Sequence, residues 1–151
     1  MIKIICVGKI KEKFYRDAID EYIKRLSKYT KLDIIEVDDI SGKTPEISLE
    51  KEKELILKHI NPKDYVITLE IEGQSYNSLE LAQKIDQVLS INSNITFIIG
   101  GSYGLHSDIK NLSNFKLSFS KLTFPHQLFR VIVLEQLYRS FKILNNESYH
   151  K

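Results

Sequence analysis

The sequence predicts an α/β fold in which a mostly parallel sheet is flanked by helices. Short apolar segments alternate with longer helical segments along the 151 residues, which is the order expected of βαβ units. The apolar runs at 4–7 and 95–99 are nearly uninterrupted, as in strands that are covered on both faces. No long linker or repeat divides the chain, so residues 1–151 are predicted to form a single domain.

Five strands and five helical segments follow from this pattern. The predicted strands are Met1–Gly8, Leu32–Val37, Tyr65–Ile71, Ile95–Gly100 and Phe115–Phe119. The predicted helices are Lys13–Tyr29, Ser48–Ile60, Ser78–Ile91, a short turn near Ser107–Leu112, and Pro125–Asn145. Between the second strand and the second helix, Ser41–Pro45 contains both a glycine and a proline, which indicates a loop.

The first helix is amphipathic. One broad apolar stripe contains Phe14, Ile19, Tyr22, Ile23 and Leu26, and the other faces carry lysine and arginine. This pattern predicts a helix that packs its apolar stripe on the sheet.

The last helix is apolar on most of its sides, between Leu128 and Leu144. Such a helix must be buried on most sides, and the sheet can cover only one of them. A second copy of the chain is the favoured cover, which predicts a symmetric homodimer. The alternative is a loop of the same chain wrapped over the helix.

Bulk composition excludes several classes of protein. The single cysteine, Cys6, lies in an apolar strand and is predicted to be a core residue. We expect no metal site, because no Cys/His cluster has the spacing of zinc ligands. We also expect a cytoplasmic protein with no membrane segment, because we find neither a signal peptide nor a long apolar stretch.

The net charge of +2 is unevenly distributed. Residues 1–31 and 116–151 carry net charges of +5 and +4, whereas residues 32–115 carry −7. If the two ends meet in space, they form a basic face that suits a phosphate backbone. Alternatively, these charges form an ordinary solvated helix face with i,i+4 ion pairs.

Three segments could carry chemistry. The first is the glycine-rich turn Gly100–Gly104, which follows a strand and allows a ligand to approach the backbone closely. The second, Leu117–His126, offers amides, hydroxyls and apolar side chains, a mixture that suits an adenine, and Pro125 can open the following helix. The third is the tail Glu147–Lys151, which ends in an aromatic ring, an imidazole and an ammonium. Each also has a purely structural interpretation: a tight turn, a strand-to-helix connection and a frayed chain end.

Familiar catalytic motifs are missing from these segments. The glycine turn is neither G-x-G-x-x-G nor a P-loop. Ser102, His106 and Asp108 are close in sequence, but Ser102 is not in a G-x-S-x-G elbow, which argues against a hydrolase.

Taken together, the motifs resemble the ribosomal RNA large subunit methyltransferase H family along the whole chain. The matching segments are Lys3–Lys9, Val66–Glu70, Ile99–Gly104, Ser118–His126, Arg130–Arg139 and Tyr149–Lys151. The resemblance implies a SPOUT-type α/β fold with a C-terminal trefoil knot, and a homodimer. It implies methyl transfer from S-adenosyl-L-methionine to N3 of a pseudouridine in helix 69 of 23S ribosomal RNA, position 1915 in that RNA's numbering. The reaction is expected on assembled 70S ribosomes.

The resemblance also implies a set of site residues. The implied cofactor contacts are Leu69, Gly100, Phe119, Ser120, Lys121, Leu122, Thr123 and Phe124. The implied catalytic residues are His150 as a base, Arg139 as a stabilising cation and Tyr149 as a group that orients the target base. Because a terminal tail does not easily reach the start of its own helix, it is expected to serve the partner's site.

Two other functions remain open at this point. One is methylation of transfer RNA by an enzyme of the same fold, and the other is a ribosome-associated factor without turnover. Binding of S-adenosyl-L-methionine separates the factor from the enzymes, and assays on each RNA separate the two enzymes.

Overall fold

The computed structural model describes residues 1–151 and contains one five-stranded sheet. The strands are β1 (Ile2–Val7), β2 (Leu32–Val37), β3 (Tyr65–Ser75), β4 (Ile95–Ile99) and β5 (Phe115–Ser118). Their order across the sheet is β2-β1-β4-β3-β5, and every pair is parallel. The predicted α/β class is therefore confirmed.

Five helices connect the strands. They are α1 (Lys13–Leu26), α2 (Pro45–Leu57), α3 (Ser78–Leu89), α4 (Ser107–Leu112) and α5 (His126–Leu144). Asn77 and Glu80 form a reciprocal capping box at the start of α3, which satisfies two backbone amides.

Several predicted boundaries were wrong. Helix α2 begins at Pro45 and not at Ser48, because Thr44 caps the helix and proline is well suited to its first turn. Pro125 is the N-cap of α5 and not its first helical residue. Strand β3 continues beyond Ile71 to Ser75, because its last residues pair with β5.

Hydrophobic cores cover both faces of the sheet. Side chains that point to opposite faces alternate along β1, so Ile4 and Cys6 join one core and Ile5 and Val7 join the other. The larger core contains residues of α1, α3 and α5, and the smaller one contains residues of α2 and α4. Cys6 is fully buried as predicted, and burial raises the pKa of its thiol to about 12.

Two helices differ in how completely they are covered. In α5, Val133, Leu134, Leu137 and Phe141 are buried, and its remaining apolar residues are half-buried. In α1, Ile19 and Leu26 are buried as the predicted stripe requires. Phe14 was wrongly placed on that stripe, since 63% of its surface is exposed. It lies in the first turn of α1, at the margin of the packed face.

An ion pair is buried at the amino end of the sheet. Lys3 Nζ lies 3.1 Å from Asp64 Oδ2, and Thr96 Oγ1 donates to the same oxygen over 3.0 Å.

No helix of the structure is long and apolar enough to span a membrane. The trefoil knot stays a prediction.

Candidate functional site

A cavity of about 410 Å³ opens at the carboxyl ends of β3, β4 and β5. Its walls come from the bulged part of β3, the turn after β4, and the connection from β5 into α5. Ligands of open parallel sheets bind at this edge, because the loops that follow the strands meet there. The volume lies within the range of small-molecule sites.

The turn after β4 depends on glycine at its first position. A Cβ on Gly100 would lie 2.5 Å from the carbonyl oxygen of Gly104, which no side chain tolerates. The turn closes because the Gly104 amide donates to the Gly101 carbonyl over 3.0 Å. Gly104 has a φ of +78°, a conformation that favours glycine. The backbone can therefore fold back on itself beside the cavity.

The cavity wall formed by β3 is acidic. Leu69 and Gln74 both align with Leu117 of β5, so the residues between them form a bulge. Glu70 and Glu72 of this bulge line the cavity. The Thr68 hydroxyl donates to Glu70 over 2.6 Å, which orients its carboxylate. The bulge brings two carboxylates to the cavity, and Lys110, which also lines it, lies with its Nζ 3.8 Å from Glu70 Oε1.

The connection from β5 to α5 forms an aromatic wall. The ring of Phe129 lies 5.4 Å from that of Phe119 and 5.9 Å from that of Phe124, between centroids. The Ser120 hydroxyl accepts from the Leu122 amide over 3.0 Å, and Ser118 donates to the Ser120 carbonyl over 3.2 Å. These bonds give the connection a defined shape in the absence of regular secondary structure.

Seven of the eight sequence-predicted cofactor residues line this one cavity. They are Leu69, Gly100, Phe119, Ser120, Leu122, Thr123 and Phe124. The eighth, Lys121, is exposed and does not line it. Sequence reasoning missed Glu70, Glu72 and Lys110, which also line it. The only sequence signal for Glu70 was its position directly after Leu69.

The three sequence-predicted catalytic residues form a cluster at the end of α5. Arg139 Nη1 lies 3.1 Å from His150 Nδ1, and the guanidinium lies 4.7 Å from the centroid of the Tyr149 ring. Arg139 Nε donates to Glu135 over 2.8 Å, and this bond raises the pKa of Arg139 above its ordinary value. Tyr149 packs edge-on against Tyr138 with centroids 4.9 Å apart. Within one chain, the tail thus packs on the second half of its own α5.

The Arg139 contact determines the tautomer of His150. A guanidinium has no acceptor, so the Nδ1 atom of His150 must offer its lone pair to Nη1. In the neutral imidazole the proton then resides on Nε2. His150 can donate a proton from Nε2 in this arrangement, and it must leave Arg139 before Nδ1 can accept one.

A second cavity of about 450 Å³ adjoins the first and is lined by His150. Leu117, Phe119 and Phe124 line both cavities, so the aromatic wall separates them. The second cavity also contains Gln136 of α5, whose amide oxygen accepts from Ser78 over 2.7 Å. The tail and the first cavity are therefore neighbours on opposite sides of one wall.

The start of α5 is anchored to the loop after β1. Arg130 is buried and pairs with Glu36 over 2.5 Å, and its second terminal nitrogen donates to the Gly8 carbonyl over 3.1 Å. Gln127 accepts from the amides of Lys11 and Glu12 over 2.9 and 3.1 Å. These contacts fix the position of the helix that follows the aromatic wall.

The fold and cavity define an α/β protein with a ligand site at the carboxyl edge of its parallel sheet. A family model described as predicted SPOUT methyltransferase matches residues 1–150. The chain aligns over 99% of its length with a methylase-family protein of Haemophilus influenzae Rd KW20, described as probable. That alignment covers 70% of the other chain, with a TM-score of 0.57 and 15% identity, which supports the fold alone.

Two relatives are much more similar in sequence. A candidate ribosomal RNA large subunit methyltransferase H of Methanococcus maripaludis is 60% identical, and the alignment covers 99% of each chain. The ribosomal RNA large subunit methyltransferase H of Clostridium botulinum (strain Hall) is 56% identical with the same coverage. The chain belongs to the SPOUT methyltransferase family and, within it, to the ribosomal RNA large subunit methyltransferase H family.

Proposed function

We propose that the chain transfers a methyl group from S-adenosyl-L-methionine to N3 of a pseudouridine in helix 69 of 23S ribosomal RNA, on assembled ribosomes. The observation that carries this proposal is the match, over 99% of both chains, to relatives named for methylation of the large ribosomal subunit. The finer choice of nucleotide and atom rests on the family resemblance of the motifs. We further propose that residues 1–151 act as one domain in the cytoplasm.

The chemistry of the first cavity fits S-adenosyl-L-methionine. The apolar rings of Phe119 and Phe124 suit an adenine face, and backbone amides nearby suit its edge. The cofactor carries a sulfonium and an ammonium, and the carboxylate of Glu72 supplies complementary charge, whereas Glu70 is already paired with Lys110. A Cβ at Gly100 would strike the Gly104 backbone, so the tight turn beside this cavity requires glycine.

These fits assign residues to the cofactor. The cofactor would be held by Leu69, Gly100 and the connection Phe119–Phe124. Lys121, in the same connection, is exposed and can bind RNA phosphate instead. When bound, the cofactor supplies an electrophilic methyl group. The protein then contributes position and electrostatics. No group of three or more His, Cys, Asp or Glu side chains that could hold a metal is present.

The tail cluster would act on the target base. Ring nitrogen N3 carries a proton that must leave, so a nearby cation that stabilises the developing anion favours the reaction. Arg139 would supply this charge, because a guanidinium is always protonated and its bond to Glu135 orients it. Tyr149 would orient the target nucleobase. His150 would accept the N3 proton on Nδ1 after its imidazole has moved away from Arg139.

We also propose that the enzyme is a homodimer. Several apolar residues of α5 are only half-buried by their own chain, including Leu128, Val131 and Ile132. A second copy that covers them would remove this apolar surface from water. Sedimentation that shows only a monomer at micromolar concentration would contradict this.

The deciding experiment is methyl transfer to ribosomes from a strain that lacks the modification. Labelled methyl groups should appear on ribosomal RNA, and mass mapping should locate them on one pseudouridine of helix 69. Transfer to transfer RNA, or transfer to another atom, would refute the assigned substrate. Calorimetry with S-adenosyl-L-methionine provides a second test, because a chain that does not bind it is no methyltransferase of this kind.

A further inference from the structure

Phe14 is an exposed aromatic residue with a rigid support. Its side chain lies in the first turn of α1 and is 63% exposed. Its ring centroid lies 4.4 Å from that of Tyr15, and Tyr15 packs against the larger core. The exposed ring is thus held by a neighbour that cannot move freely. The Phe14 ring does not belong to the hydrophobic core, which is complete without it.

Basic side chains are close to Phe14 in sequence, with the acidic Glu12 and Asp17 among them. Lys9, Lys11, Lys13 and Arg16 lie within a few residues of Phe14. Lys11 has no acidic partner, and Lys9 lies 4.0 Å from Asp38 with both side chains about 70% exposed. Lys13 pairs with Asp17 across one exposed helical turn. Such surface pairs contribute little, so phosphate can replace the carboxylate at small cost.

This surface is connected to the cofactor cavity. His126 lines the cavity, and the next residue, Gln127, accepts hydrogen bonds from the amides of Lys11 and Glu12. The basic loop is therefore fixed beside the mouth of the cavity. An RNA whose target base enters the site would extend its neighbouring nucleotides over this loop.

We propose that Phe14 is a stacking platform for an unpaired nucleotide of the substrate RNA, and that Lys11 and Lys13 bind its phosphates. This inference rests on the proposed function, since it assumes an RNA substrate. An exposed ring flanked by cations matches what an unpaired base requires: a π-face to stack on and charge for its backbone. A second copy of this chain is the other possible occupant. Two copies of the same basic surface would repel each other, which argues against that occupant.

The test measures binding of wild type and variants to ribosomes that lack the modification, by sedimentation at several salt concentrations. Phe14→Leu should weaken binding about tenfold, and Phe14→Tyr should preserve it, because stacking needs an aromatic ring. Lys11→Ala/Lys13→Ala should reduce the salt slope by about two. The controls are Ile91→Ala and Lys58→Ala/Lys63→Ala, exposed residues outside this surface that should change nothing.

The kinetic readout separates this role from catalysis. The variants should raise KM for ribosomes and leave kcat and the Kd for S-adenosyl-L-methionine unchanged. If Phe14→Leu binds ribosomes like wild type, or if it dissociates a dimer, the proposal is overturned. Wild-type enzyme that binds ribosomes through Phe14 but transfers no methyl group would refute the proposed function and support this surface. Wild-type enzyme that binds no RNA would overturn both.

Discussion

Arg139 Nη1 lies 3.1 Å from Nδ1 of His150, and this contact joins the chain end to the helix that precedes it. It holds the imidazole in the tautomer with its proton on Nε2. The chain end is therefore an ordered part of the structure that carries three groups able to act on a nucleotide.

Removing the imidazole should abolish most of the activity. We expect His150→Ala to lower kcat for ribosome methylation about a hundredfold, the usual contribution of a positioned acid or base. The Kd for S-adenosyl-L-methionine should change less than about twofold, because His150 does not line the first cavity. Calorimetry and single-turnover methyl transfer measure the two effects. His59→Gln, at a histidine that lines neither cavity, serves as the control. A fully active His150→Ala enzyme would remove the imidazole from the mechanism.

Adding a methyl group at Gly100 should disrupt the glycine turn and the cofactor site beside it. In Gly100→Ala, the new Cβ would meet the Gly104 carbonyl at 2.5 Å, so the backbone must move. We expect S-adenosyl-L-methionine to bind at least about tenfold more weakly, as calorimetry would measure. Gly42→Ala is the matched control, because its φ of +72° strains the backbone in open space away from the cavity. That variant should lose about 1 kcal/mol of stability and bind the cofactor normally. Equal binding by both variants would contradict the assigned site.

A buried carboxyl behind the glycine turn should make stability depend on pH. Burial raises the pKa of Glu52 above its ordinary value, and nearby Asp39 adds to this, while the Ile40 amide opposes it. The folded state therefore holds this proton more tightly than the unfolded state, and stability falls as pH rises through the folded pKa. Glu52→Gln should flatten that fall, whereas Glu54→Gln, exposed on the same helix, should not. Urea unfolding from about pH 4, below the ordinary pKa of glutamate, upward to about pH 8 measures it, and parallel curves for wild type and Glu52→Gln would contradict it.

The buried Lys3–Asp64 pair, at the opposite edge of the sheet, should make stability fall in acid, whereas Glu52 makes it fall as pH rises. Burial tends to raise the pKa of Asp64, but the Asn61 amide, Lys3 and Thr96 outweigh it and hold the pKa below its ordinary value. Its stabilising contribution is therefore present above the unfolded pKa and is lost as pH falls through the folded one. Asp64→Asn should cost about 3 kcal/mol at neutral pH, since it leaves the Lys3 ammonium without its counter-charge.

The exposed Asp33 offers a matched control for this pair, and Asp33→Asn should unfold like wild type. If Lys3→Met/Asp64→Asn costs as much as the two single changes added together, the pairing makes no contribution of its own.

The fold class was predictable because hydrophobic periodicity reports directly on buried faces. The runs at 4–7 and 95–99 became central strands for this reason. Boundaries were less predictable, since they depend on local bonds such as the Thr44 cap that starts α2 at Pro45. The bulge in β3 left no signal, because it arises from pairing with β5, far along the chain.

The site was predictable only in part for a similar reason. Glycine at 100 and the segment 117–126 carry local signals of a ligand site, and the structure brings them to one cavity. Glu72 gave none and Glu70 only its place beside Leu69, because an acidic residue near a strand end is usually solvated. The exposure of Phe14 was hidden as well, since its spacing is that of a buried stripe and only the packing of Tyr15 reveals its position.

The wall formed by Leu117, Phe119 and Phe124 belongs to both cavities. If a ligand in one cavity turns the ring of Phe119 or Phe124, the shape of the other cavity changes too, and the two sites are then coupled in free energy. Such coupling is reciprocal. If a ligand in the first cavity changes the affinity of the second cavity by some factor, a ligand in the second changes the affinity of the first by the same factor.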